Sequence, residues 1–575
     1  MPPGTHPFRV QRSTFSVSAF VSLLAAVVFF VLLTLPAAPR HVTGADAELA
    51  GRTVGGAFHV HTNRSDGSGD KASVARAARR ARLRFVVFTD HGDGTRPADP
   101  PEYLDDVLCI EGVEISTDGG HYIAVGASPA PYPLGGDSAA VVEDVARLGG
   151  FGVVAHPVSP RSDLAWTDWS TPFDALEWIN ADSEWRDESR WTLARTLTGY
   201  PIRASAALAS LLDRPSAALD RWDSVVGKRR VLAIAGHDAH GGIGQRVEDP
   251  RDRRHIRLPS YAASFGAFST RVELDRPFTG DAASDGRALV EALRRGTFYT
   301  EIDAVASGST LAFTGRTGVR PGSDPRPIAS QGSLLQGDGP AVFTARAAVP
   351  PDAEIVAFRN GAEIARAPGG SLEFESAALG AYRIEVHVAG APGNPPVPWL
   401  VSNPILRLAA AAVPAPFTSS TVVTLSGPWR IEKDPASEGT HSASPAGSDV
   451  EFQYRLRAGE RASQFAALVT DLPAGLPAFD AVTFVAHAAA PRRIAVQFRF
   501  AGDRDARWIK SVYVDSVPRT VTVRTADLRR ADGPEQRPDL TRATSLLFVV
   551  DLTNARPGDR GTVTIGDLRL VKAAG

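Results

Sequence analysis

Short apolar runs alternating with amphipathic stretches set the pattern of residues 51–306. Seven runs, at 57–60, 84–89, 107–110, 121–126, 151–155, 173–179 and 231–236, have the length and the aliphatic and aromatic content of buried strands. Residues 72–81 and 139–148 read as helices, and the second stops at Gly149-Gly150 as a helix C-terminus does. A longer helical insertion is predicted over 183–226. Alternation of this kind predicts an α/β domain with a largely parallel sheet over 53–306.

Past Ala306 the period changes. After a stretch rich in Gly, Ser, Pro and Arg, residues 341–349, 354–359 and 382–388 alternate apolar and polar side chains, and Asn360-Gly361 is a hairpin turn. This predicts a small β-sandwich over 307–408, closing near Trp399 to Pro404. An Ala/Pro-rich linker at 409–417 then leads to strands at 481–488, 493–500, 520–523 and 545–552. They predict a second all-β domain over 418–575, of jelly-roll type. That domain resembles galactose-binding-like and carbohydrate-binding modules, which makes carbohydrate a candidate partner. Trp429, Trp508 and Tyr513 are the aromatic side chains that could stack on a sugar, although filling the core is their ordinary role.

At the other end, Arg9 and Arg12 precede an uncharged run from Phe15 to Leu35. About 20 apolar residues suffice to cross a bilayer as a helix, and flanking basic residues favour a cytoplasmic N-terminus. The expected order is a cytoplasmic segment over 1–14, a transmembrane anchor or signal over 15–37 and a linker over 38–52. The body would be membrane-anchored and extracytoplasmic, periplasmic or at the cell surface. Pro36-Ala37-Ala38 also suits a cleavable signal, in which case the protein is secreted.

Composition narrows the chemistry. A 575-residue chain with 43% hydrophobic and 22% charged residues is ordinary globular material for several domains. Its net charge of -2 recommends no nucleic-acid partner. Cys109 is the only cysteine, so an intrachain disulfide and a thiolate metal cluster are excluded. It lies inside an apolar run, and no Gly-x-Ser-x-Gly is present, which argues against a covalent serine or cysteine mechanism.

Histidines and carboxylates instead follow the strands in order. His59 and His61 are two residues apart, so an extended strand would direct both to one face. Asp66 follows in a Ser-Asp-Gly turn. Asp90 and His91 end the next run, Glu114 follows the third, His121 opens the fourth, His156 ends the fifth and Asp238 and His240 follow the seventh. Glu177 and Asn180 belong to the sixth run. The carboxyl ends of strands in an α/β barrel open on one shared face. Imidazoles with a few carboxylates are a ligand set for zinc, manganese or iron.

The ordered set resembles the PHP (polymerase and histidinol phosphatase) superfamily of metal-dependent hydrolases, and more narrowly its carbaryl-hydrolase-like CehA/McbA group. The resemblance covers about Gly51 to Ala306 and implies a distorted (β/α)7 barrel, followed here by the two all-β domains. It implies two or three divalent transition metal ions. His59, His61, Glu114 and Asp238 would hold the first; Glu114 as a bridge, His121 and His156 the second; Asp66, His91 and His240 the third. Asp90 and Glu177 are candidates for catalytic or ligand-orienting roles.

Two metals sharing a carboxylate lower the pKa of a water between them, so hydroxide attack without a protein nucleophile is the expected chemistry. The bond would be a phosphoester, or an amide, carbamate or ester bond as the narrower resemblance implies, in a small-molecule or polymer-derived substrate. Arg161, or Arg253, Arg254 and His255, could supply cations for a phosphoester. The competing class is a membrane-anchored binding or scaffold protein, in which metal is structural and the β-domains bind carbohydrate or another ligand.

Overall fold

The computed structural model describes residues 17–242, 258–317, 328–337, 339–408, 418–443, 449–500, 503–530 and 539–573. The apolar N-terminal run forms helix α1 (Val17–Thr34) and stops just before Pro36. Among the described residues no helix is long and apolar enough to cross a membrane. The 18 residues of α1 rise about 27 Å, short of a ~30 Å hydrocarbon core. The transmembrane helix expected over 15–37 is therefore not found.

Seven strands order the next region: β1 (Thr53–Val60), β2 (Phe85–Phe88), β3 (Val107–Thr117), β4 (Gly120–Val125), β5 (Phe151–Val154), β6 (Ala175–Asn180) and β7 (Leu232–Gly236). Neighbours in sequence are neighbours in space. β1, β2 and β3 pair in parallel, as do β5, β6 and β7. The largely parallel expectation fails at β4, which is antiparallel to both β3 and β5. Gly120, at φ +112°, allows a tight turn from β3 to β4 that leaves no room for a crossover helix. The chain beyond β7 returns to β1, where Ala239 bridges Val60 and His237 N–H donates to Phe58 O at 2.9 Å.

Alternation sorts the side chains into two layers. Phe85 and Val87 join Phe58, Leu108, Ile123, Phe151 and Ile234 in one core, whereas Val86 and Phe88 pack beneath helix α2 (Lys71–Arg80) with Val74 and Ala78. A Cβ at Gly56 would fall 2.4 Å from the Phe85 ring, so glycine lets that ring lie across β1. Between β4 and β5 runs α3 (Ser138–Arg147), capped by Asp137. The helical insertion is four helices, not one: Ala181–Arg186, α4 (Arg190–Gly199), Ala204–Ala209 and α5 (Ser216–Val226). Pro201 and Pro215 lie in the breaks between them, where each denies a backbone donor.

The sheet then continues, antiparallel, through Ser269–Glu273, Phe298–Glu301 and Leu400–Ser402 into strands of the following region. There a four-stranded sheet packs on it through Phe313, Phe343 and Tyr382. Residues 419–573 form two antiparallel sheets around a separate core that includes Phe452, Phe484, Phe498 and Phe548. This C-terminal sandwich is clamped to the first region. Arg493 is buried and donates to Asp144 Oδ2 at 2.7 Å, Glu143 Oε2 at 2.9 Å and Ala140 O at 3.0 Å, all on α3. Arg147 lies 3.6 Å over the Tyr513 ring, and Lys510 pairs with Asp137 at 3.2 Å. A cavity of about 1000 Å³ remains between the two regions.

Two predictions test these contacts. Arg493→Ala removes one of the two arginines that pair with buried Asp144 and leaves Arg147 as the other, so the cost stays below the roughly 3–5 kcal/mol of a fully unpaired buried charge; the thermal transition should move down, where an exposed variant such as Arg366→Ala leaves it nearly unchanged. Glu184 is buried, and burial pushes its carboxyl up to about 8. A carboxyl raised in the folded state weakens folding progressively from its unfolded pKa up to its folded one. Glu184→Gln should therefore raise the melting temperature at pH 8, by up to a few kcal/mol of stability, and have little effect below pH ~4.

Candidate metal centre

The nine residues that the sequence singles out as ligands come together along one edge of these strands, with Glu114 inside β3 and Asp66 in the turn after β1. The way they converge is not plain strand alternation. His59 has φ +64°, in a bulge where the β1–β2 register shifts between Ala57 and Val60. His156 and Asp238, which follow β5 and β7, also have positive φ, +29° and +45°. Non-glycine residues in this region cost about 1–3 kcal/mol each and persist only where the surroundings hold them. Here the bends turn three donors inward.

Around the first group the separations are uniform. His59 Nε2 lies 3.1 Å from His61 Nε2, 3.3 Å from Glu114 Oε2 and 3.5 Å from Asp238 Oδ1. His61 Nε2 lies 3.2 Å from Glu114 Oε2 and 3.4 Å from Asp238 Oδ1. Four donors in a tetrahedron about 2.0–2.1 Å from a zinc ion would be about 3.3 Å apart. These residues fit a metal ion. Glu114 turns its other oxygen to a second group, with Oε1 2.8 Å from His121 Nδ1 and 3.0 Å from His156 Nε2. A third group stands at the rim: Asp66 Oδ2 is 3.3 Å from His240 Nε2 and 3.5 Å from His91 Nε2. His91 Nδ1 also reaches Glu114 Oε2 at 3.3 Å.

Burial grades across the centre. His59, His61 and Glu114 are sealed, and Asp238 nearly so, while Asp66, His91 and His240 have side-chain exposures of 49, 36 and 25%. The open side is the rim. Burial alone would lower His61, but hydrogen bonds to Asp238 and Glu114 overcome it and raise the imidazole to about 10. Burial would raise the Glu114 carboxyl, but the charge of His59 and hydrogen bonds from His121 and His156 hold it well below the usual range. Buried carboxylates of this kind demand cations beside them.

Glu177 is fully buried and does not join the donor groups. Its Oε1 takes the His59 Nδ1 hydrogen at 2.7 Å, which leaves Nε2 free to face the cluster. Its Oε2 accepts from His156 N–H and Asn180 Nδ2, each at 2.7 Å. A Cβ at Gly236 would lie 1.9 Å from Glu177 Oε1, so this carboxylate needs a glycine opposite it on β7. Asp90 touches no imidazole. It accepts from Thr62 N and Thr62 Oγ1 at 2.7 Å and from Ser65 Oγ at 2.6 Å, fixing the loop that carries Asp66; Ser65 Oγ in turn lies 3.3 Å from His61 Nδ1.

Other sequence candidates fall differently. Arg161 is at the surface, paired with Asp163 at 2.5 Å. Arg253, Arg254 and His255 lie outside the described residues. His237 is a core histidine, bonded to Phe58 O and Phe268 O, and burial lowers it to about 4. Sequence reasoning missed Tyr261, whose hydroxyl donates to His61 O at 2.8 Å and so holds the backbone of a donor. Its spacing from the histidines, across 200 residues, carries no local signal. In the C-terminal sandwich Trp508 is buried, Trp429 packs near Phe548 and Tyr513 lies under Arg147, so these aromatics take packing roles.

Comparison with known proteins adds little to this geometry. No protein-family model and no curated protein matches the chain. Among solved structures, a family 11 carbohydrate-binding module of a Clostridium thermocellum cellulase is similar to 28% of this chain over 97% of its own length, at 15% identity and a TM-score of 0.22. A Bifidobacterium adolescentis protein named, provisionally, a metal-dependent phosphoesterase is similar to 34% of this chain over 91% of its length, at 13% identity and a TM-score of 0.22. Both likenesses are too distant to assign a role to any residue.

Glu177→Gln tests the positioning role. The amide keeps one acceptor oxygen where Glu177 uses two, so an NH2 donor must face either His59 Nδ1 or the His156 N–H and Asn180 Nδ2 pair, and affinity for zinc should fall about 10–100-fold in chelator competition, with the circular dichroism of the fold retained. Unchanged affinity would leave Glu177 a purely structural residue.

Proposed function

We propose that the chain is a metal-dependent hydrolase of PHP type, with two or three divalent transition metal ions held by His59, His61, Asp66, His91, Glu114, His121, His156, Asp238 and His240. The observation that carries this reading is Glu114, whose two oxygens serve two separate imidazole groups at 2.8–3.3 Å. When bound, such ions activate water and neutralise charge that develops on a substrate oxygen. The chain's own residues do the positioning. Glu177 fixes the His59 tautomer, Asp90 holds the loop behind Asp66, and the exposed rim of Asp66, His91 and His240 admits the substrate.

A protein nucleophile finds no support here. Cys109 is buried and its thiol is pushed up to about 12 by that burial. Counting Glu177 behind His59 with Asp66, Glu114 and Asp238, four carboxylates balance two divalent ions and are exceeded by three, so the three-ion centre is cationic and favours an anionic substrate. A phosphoester is accordingly the first bond to test, and an amide, carbamate or ester of the CehA/McbA kind the second. The binding or scaffold reading has less behind it, because a structural ion needs one closed shell and not an open rim.

His59→Ala combined with His61→Ala should abolish turnover of phosphoester and carboxylester panels and lower bound metal by at least one equivalent, with the C-terminal sandwich still folded. Undiminished turnover in that double variant would overturn the assignment. Incubation with a chelator should remove activity, and added zinc or manganese should restore it.

A further inference from the structure

Large apolar side chains stand exposed in one place on the α/β region. Trp191, Leu197 and Ile202 are 70, 56 and 58% exposed. The first two lie on the solvent-facing half of α4 and the third just after it. Outside α1, the other exposed large hydrophobics among the described residues belong to the β regions past Ala306.

The same element receives α1. Thr34 Oγ1 is 3.5 Å from Thr198 Oγ1, and Arg203 Nη1 donates to Pro36 O at 2.5 Å. Pro36 packs over Gly199, where a Cβ would lie 3.0 Å from its ring. The helix whose own side chains are bare, among them Phe20, Leu23, Phe29 and Leu33, is thus seated beside the helix that bares a tryptophan and a leucine. Arg190 and Arg195 share the exposed half of α4, and neither has a carboxylate partner among the described residues.

We propose that Trp191, Leu197 and Ile202 form with α1 a docking surface for a lipid bilayer, entering the boundary between headgroups and acyl chains. Tryptophan is enriched at that depth, and arginine there meets lipid phosphates. α1 is apolar on every face and so would enter the acyl chains, while Trp191, Leu197 and Ile202 hold the boundary, which does not require the length of a span. Continuity with the uncharged α1 argues for lipid over a second copy of the chain, which would have to cover both helices at once. The surface is also tied to the metal centre. Tyr200, which follows α4, accepts from Ser260 N at 2.8 Å, and the next residue, Tyr261, bonds His61 O. Docking would therefore hold the centre at a fixed place beside the bilayer. None of this depends on the hydrolytic reading.

The test uses the full chain carrying Trp191→Cys, labelled with a fluorophore sensitive to polarity. Cys109 is 3% exposed and leaves the label at one site. With vesicles of phosphatidylethanolamine and phosphatidylglycerol, the emission should shift to the blue and iodide quenching should fall several-fold. Labels placed by Leu197→Cys and Ile202→Cys should behave alike, and one placed by Val517→Cys, on an exposed turn of the C-terminal sandwich, should stay accessible to iodide. Equal quenching at 191 and 517 in vesicle-bound protein would overturn the proposal, as would failure to bind vesicles. Protection at 191 that grows with protein concentration without lipid would assign the surface to a second copy and overturn it too.

Discussion

The Glu114 carboxylate is the constraint on which the α/β region depends. It is sealed from solvent and surrounded by imidazole nitrogens, with one oxygen toward His59 and His61 and the other toward His121 and His156. A buried carboxylate must be paired with positive charge or it destabilises the fold. Strand ends at His59, His156 and Asp238 are bulged or bent to bring a donor within reach. The positive φ angles at His59, His156 and Asp238 are the local cost of that convergence. Glu177 stabilises two of those bends by bonding the His59 ring and the His156 backbone together.

The β regions shape this centre from outside. The sheet of β1–β7 runs on without interruption into the strands past Ala306, so the two are joined by backbone hydrogen bonds and not by a flexible tether. The C-terminal sandwich grips α3 through Arg493 and borders the turn between β4 and β3 at the interdomain cavity, which is lined by Asp118 and Gly119. His121 sits two residues beyond that turn. Arg493 thus holds the sandwich against α3 beside the turn that leads to His121.

Much of this was legible in the sequence, for identifiable reasons. Strand-end placement of His91, His156, Asp238 and His240 follows from apolar runs with a polar residue at the end, a pattern that one-dimensional reading captures, whereas Glu114, which the sequence places after a run that stops at 110, lies inside the longer β3. How the donors meet was not legible. His-x-His suggested simple alternation, whereas a bulge at His59 does the turning, and bulges leave little trace in composition. The roles of Glu177, Asp90 and Tyr261 depend on hydrogen bonds between residues far apart in the chain, such as the 118 residues between His59 and Glu177. The apolar N-terminus was legible as apolar but not as a span: α1 is 18 residues long. Trp508 and Tyr513 could stack on a sugar, but filling the core is their ordinary role, and their packing agrees with that.

X-ray absorption at the metal edge of the zinc- or manganese-loaded full chain tests the account most directly. The arrangement of Glu114 predicts a first shell of nitrogen and oxygen at about 2.0–2.2 Å, strong imidazole scattering, and a metal–metal vector at about 3.5–4 Å. A shell of oxygen alone, or a single isolated ion without the metal–metal vector, would contradict a centre built on a shared carboxylate.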